Sequence, residues 1–72
     1  MTLVDVIQHR RQQYETKYKY SPQNVYLGEA EYVELMAQKL LAVTEFTPTK
    51  YLGGLRVIRV LEDTHIGFGI GN

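Results

Sequence analysis

No cysteine occurs in the chain, so no disulfide can hold it together. Without thiolates, the two histidines, His9 and His65, would need an unusual set of carboxylates to build a structural zinc site, and no metal or cofactor is expected. Net charge is absent as well. Eight Lys and Arg balance eight Asp and Glu, which removes the strong field that draws a whole protein to nucleic acid or to an anionic membrane. No apolar run approaches the roughly 20 residues needed to span a bilayer. The first residues, with Asp5 early and a basic, polar stretch from Gln8, lack the basic, apolar and small-residue order of a secretory signal. The expected setting is therefore cytoplasmic, without membrane contact. Length is also in short supply. Seventy-two residues make one domain, residues 1–72, and bury only roughly 60% of the surface that the unfolded chain exposes. With neither disulfide nor metal to add stability, a homo-oligomer is the expected remaining support.

The charge that is present is unevenly placed. Up to Tyr20 the cations Arg10, Arg11, Lys17 and Lys19 face only Asp5 and Glu15, whereas the remainder sets four cations against six acids. Thr2 followed by Asp5 has the spacing of a helix N-cap and its capping acid. Val4, Ile7, Tyr14 and Tyr18 then draw one apolar stripe, with Arg11 in its middle, up to Ser21 and Pro22, where helical geometry is disfavoured. A buried arginine is costly unless paired; Glu31, Glu34 or a subunit partner could supply the carboxylate, and otherwise its stem carries the charge to the edge.

Asn24 to Leu27, bounded by Pro22 and Gly28, reads as a short central strand. From Glu29 to about Leu41, Val33, Met36, Ala37 and Leu40 follow helical spacing, with acids early and Lys39 late. Thr44 to Lys50, with three threonines and Pro48, reads as a surface connection. Gly53 and Gly54 mark a turn into Leu55 to Leu61, and Glu62, Asp63 and Thr64 form a polar turn before Ile66 to Ile70, a hairpin signal. The order α-β-α-β-β predicts an α+β fold with two helices on one face of a small three-stranded sheet, the second face exposed.

The strand at the C-terminal end is the oddest feature. Ile66, Phe68 and Ile70 point one way, while Gly67, Gly69 and Gly71 leave the other face without side chains, so a second copy, a partner helix or a flat ligand can approach closely. Gly67, Phe68, Gly69 and Ile70 are thus the candidate interaction surface. As a phosphate loop the segment lacks the helix that would follow it. Arg10, Arg11, Lys17 and Lys19, near Tyr14, Tyr18 and Tyr20, with Lys50 and Tyr51 further on, are the candidate nucleic-acid surface. The neutral total and the apolar stripe that claims Tyr14 and Tyr18 weaken that reading. Ser21, His65 and Asp63 are the one nucleophile, base and acid that could be assembled, with nothing to orient them. Glu62 and Asp63, adjacent in a turn, stay solvated and ionised. No catalytic residue is expected, although a ligand-binding or catalytic pocket at a subunit boundary near His65 and Phe68 is a further reading.

Val25-Tyr26-Leu27-Gly28, then Glu31, Tyr32 and Leu35, and later Gly54, Leu55, Val57 and Ile58 followed by His65-Ile66-Gly67, form a pattern over Asn24 to Gly71. It resembles the strand, helix and hairpin unit of bacteriophage capsid-type proteins of the HK97-like class, and is similar to short prophage-encoded proteins. Capsid proteins of that class are several times longer, with an extended arm and a long loop for which this chain has no room. What the resemblance implies is a phage or prophage origin, a host-cell cytoplasmic setting and a small accessory role. No functional residue is carried over. The expectation is a noncatalytic interaction protein acting through self-association and contacts with phage or host proteins, with a nucleic-acid-binding module as the alternative.

Overall fold

In a computed structural model, which describes residues 2–43 and 50–70, the order is α1 (Leu3–Tyr18), β1 (Asn24–Leu27), α2 (Glu29–Ala37), β2 (Ala42–Val43), β3 (Lys50–Leu52), β4 (Leu55–Arg59) and β5 (Ile66–Gly69). The α+β class is as the sequence predicts. The sheet is larger, however: among the described residues it has five strands in the order β2-β3-β4-β1-β5. The expected connection from Thr44 onward lies outside the described residues up to Thr49, and Lys50 belongs to β3.

Local chemistry explains each helix end. The Asp5 N–H donates to the Thr2 hydroxyl and the Thr2 N–H to the Asp5 carboxylate, both at 3.2 Å, closing a capping box. The backbone amide of Thr2 holds the Asp5 carboxyl below its ordinary range. The helix stops before Pro22, because Lys19 turns left-handed at φ 66° and its N–H closes the last turn on the Glu15 carbonyl. In α2 the end comes earlier than the apolar spacing implies. Lys39 adopts φ 57°, the Lys39 N–H donates to the Met36 carbonyl and the Leu40 N–H to the Leu35 carbonyl, a Schellman stop with lysine where glycine is usual.

The sequence predicts a hairpin of Leu55–Leu61 with Ile66–Ile70. β4 and β5 do not form a hairpin with each other, because β1 lies between them, parallel to β4 and antiparallel to β5. Residues 60–65 instead pass across the end of β1. There the Val60 N–H donates to Leu27, the Gly28 N–H to His65, the Glu29 N–H to Glu62 and the Ala30 N–H to Asp63, all carbonyls at 2.9 Å. This loop thereby satisfies the first amides of α2, which every helix leaves unpaired. The hairpin belongs to β3 and β4, joined by Gly53 and Gly54 at φ 55° and 84°, the left-handed pair that two-residue hairpin loops require.

Both helices pack on one face. Ile7 of α1, Leu35 of α2, Val25 and Leu27 of β1 and Leu55 of β4 form a single buried core, flanked by Leu3, Val4, Leu41, Leu52, Val57, Ile66 and Phe68. The opposite face carries Tyr51, Arg56, Ile58, Asn24 and Tyr26 by register, and neither helix covers it. There the Arg56 Nε donates to the Asn24 side-chain oxygen at 3.1 Å.

The stripe read along α2 faces outward. Leu35 is fully buried, whereas Val33 is 53% exposed and Met36 42% exposed. The capping loop sets this orientation. The Glu31 carboxylate accepts the His65 N–H at 2.7 Å, and residues four apart share a helix face, so docking Glu31 onto the loop turns Leu35 into the core. Gly28 permits the close approach: a Cβ there would lie 2.6 Å from the His65 nitrogen and 2.8 Å from the Thr64 carbonyl carbon.

Candidate interaction surface

α1 crosses the sheet from the β3–β4 turn, where Val4, Ile7, Arg11, Leu52, Gly53 and Leu55 enclose a cavity of about 50 Å³, toward β5. Near the far end, the Tyr14 ring meets Phe68 with centroids 5.9 Å apart. Tyr18 and Tyr20 stack around Tyr14 at 4.6 and 5.6 Å. The Tyr14 and Tyr20 hydroxyls share a hydrogen bond of 2.9 Å, which is the main cause of the Tyr14 ionisation being pushed up to about 12. Tyr18, 47% exposed, carries the Lys17 ammonium 5.2 Å above its ring. The chain then returns through Ser21 and Pro22, and the Gln23 N–H donates to the Gly69 carbonyl.

β5 is an edge strand: among the described residues no strand lies beyond it. His65 and Gly69 turn their carbonyls to β1, accepting from Gly28 and Gln23. In an antiparallel ladder the pairing groups alternate along the strand. The N–H and C=O groups of Ile66 and Phe68 therefore point outward, away from β1. Nothing in the strand's sequence guards this edge, since Ile-Gly-Phe-Gly has no charge and no proline. At the opposite edge stands β2, of which the described residues are Ala42–Val43.

The glycine face is not bare. A Cβ at Gly67 would lie 2.9 Å from His65 Nε2, and one at Gly69 3.0 Å from Tyr26 Cε2, so two rings already occupy the places the missing side chains leave. The expected close approach to that face is thus taken up within the chain, and the accessible feature of Gly67, Phe68, Gly69 and Ile70 is the strand's edge. Ile70, just past β5, is exposed; Gly71 lies outside the described residues.

The four candidate cations do not gather. Arg11 meets neither Glu31 nor Glu34: its stem carries the guanidinium to the edge of the core, where Nη1 donates to the Gly53 carbonyl at 3.2 Å and Nε lies 3.7 Å from Glu15. Arg10 is on the other flank of α1, lining an open groove with Glu31, Thr64, His65 and Ile66. Lys17, with its ammonium 5.2 Å from the Tyr18 ring, and Lys19, the left-handed cap, lie in the last turn of α1. Lys50 and Tyr51, in β3, are separated from β5 by β4 and β1. Ser21 donates to Glu15 at 2.8 Å, beside the Gly69 end of β5, while His65 sits before its Ile66 end with Nδ1 3.4 Å from Glu62. The trio with Asp63 is therefore not assembled. Among the described residues no three His, Asp or Glu side chains cluster as metal ligands, and no helix is long and apolar enough to cross a membrane.

Glycine alternation marks β5 in the sequence, whereas nothing there shows that Glu31 fixes the loop before it. No protein-family model matches the chain, and neither a curated protein nor a solved structure matches it.

Proposed function

We propose that the chain is a noncatalytic interaction protein that self-associates by adding the β5 strand of a second copy to its own β5 edge. The observation that supports this is the unguarded edge: two outward-facing peptide groups, at Ile66 and Phe68, on a strand with neither charge nor proline. Strand addition satisfies those groups with main-chain hydrogen bonds. The exposed rings of Tyr18 and Tyr20 and the side chain of Ile70 supply apolar area beside the joint. A second copy also meets the physical need of a chain whose described residues include just five fully buried apolar side chains. Such a module fits the accessory role, in a phage or prophage and in the host cytoplasm, that the resemblance of Asn24 to Gly71 implies.

The test is mass against concentration, by size-exclusion chromatography with light scattering. The wild-type chain is expected to reach dimer mass in the high micromolar range. Ile70→Lys, which places a charge at the edge without touching the core, shifts the midpoint to higher concentration. A monomer at every concentration overturns the proposal.

A further inference from the structure

We infer that the two β5 strands join in antiparallel register about a two-fold axis, with the basic end of each edge set against the acidic end of the other. This rests on the strand-addition reading above and adds the orientation and the charges that select it.

β5 is polarised along its length. At its Ile66 end stand the Glu31 and Glu62 carboxylates, the loop that carries Asp63, and the Arg10 guanidinium. Glu31 holds the His65 N–H, Glu62 lies beside the His65 ring, Asp63 caps α2 through its carbonyl, and Arg10 borders the same groove. At its Gly69 end stand Lys17 and Lys19. They are placed there by the contact of Tyr14 with Phe68, the stacking of Tyr18 and Tyr20 on Tyr14 and the hydrogen bond from Gln23 to Gly69. The neighbouring acid at that end, Glu15, is already engaged by Arg11 and Ser21. One end of the edge is therefore acidic and the other basic.

A two-fold interface must be complementary to itself, since each patch meets its own copy. Antiparallel pairing of β5 with β5 lays the Ile66 end of each strand beside the Gly69 end of the other, so opposite charges meet at both ends. Parallel pairing lays acid on acid and base on base, which is penalised. The contacts Arg11–Glu15, Arg59–Glu29 and His65–Glu62 each stay within one of the two unequally charged parts of the sequence, and the joint matches those parts between copies.

Charge exchange between two variants tests this. Lys17→Glu with Lys19→Glu makes both ends of one chain acidic; Glu62→Lys with Asp63→Lys makes both ends of the other basic. Each variant alone is expected to lose dimer affinity by about tenfold or more at low salt. An equimolar mixture is expected to recover dimer mass as a complex with one copy of each, read by native mass spectrometry. Circular dichroism of each variant reports whether its fold is kept, and the milder Lys17→Gln with Lys19→Gln is expected to weaken the dimer by a smaller factor. If the wild type dimerises but the variants dimerise equally well, or their mixture recovers nothing, the antiparallel charge-matched joint is wrong while strand addition stands. If the wild type is monomeric throughout, both fall together.

Discussion

At the scale of single residues, the hydrogen bond between Tyr14 and Tyr20 is the interaction with the clearest titration signature. It raises the Tyr14 ionisation from its ordinary value of 10.0 to about 12. The group is neutral when protonated, so its contribution to stability is complete below pH 10 and is lost as the pH rises toward 12, where the unfolded chain ionises first. Tyr20→Phe removes the bond and is expected to bring the Tyr14 transition back toward the ordinary tyrosine range in an ultraviolet or NMR titration. An unchanged transition would mean that burial, and not the bond, sets it. The sequence placed Tyr14 on an apolar stripe and Tyr20 among the rings near the cations, but held no sign that the two pair; Tyr20 lies beyond the helix and reaches back because Lys19 turns the chain left-handed. Gly28 was legible as the end of a strand. Its actual constraint, a loop backbone packed against its Cα, depends on residues more than thirty positions away.

For the elements, periodicity located α1, β1 and α2 and misjudged which side of α2 is buried. Val33, Met36 and Leu40 make a helical stripe by spacing alone, yet the docking of Glu31 on the loop before β5 selects the Leu35 side. The expected energetic consequence is a contrast between adjacent positions. Leu35→Ala should cost about 3 kcal/mol, as a fully buried leucine does, whereas Met36→Ala should change stability by under about 0.5 kcal/mol, both measured by urea denaturation. Equal costs would place the stripe in the core after all. Among the described residues β2 and β3 span Ala42–Val43 and Lys50–Leu52, too few to show a period, and Gly53-Gly54 marks the hairpin that ties β3 to β4. The order of strands was equally hidden. A polar turn between two apolar runs signals a hairpin, but here that turn caps α2 and leaves room for β1 between β4 and β5.

For the whole molecule, the α+β class and the packing of both helices on one sheet face follow from the order and pattern of the elements. The interaction surface was legible only as a strand. Alternating glycines pointed to an open face, whereas the register of β1 on β5 brings the Tyr26 ring over Gly69, and the chain itself lays the His65 ring over Gly67. What remains accessible is the edge. Its two outward amides give the account its most direct test: residue-resolved hydrogen exchange of the native chain, followed by NMR across a concentration series. The Ile66 and Phe68 amides are expected to exchange quickly in dilute solution and to become protected as the dimer forms, while Gly67, whose amide faces β1, is protected throughout. Ile66 and Phe68 amides that exchange at one unchanging rate, from dilution to concentrations at which the mass is that of a dimer, would contradict it.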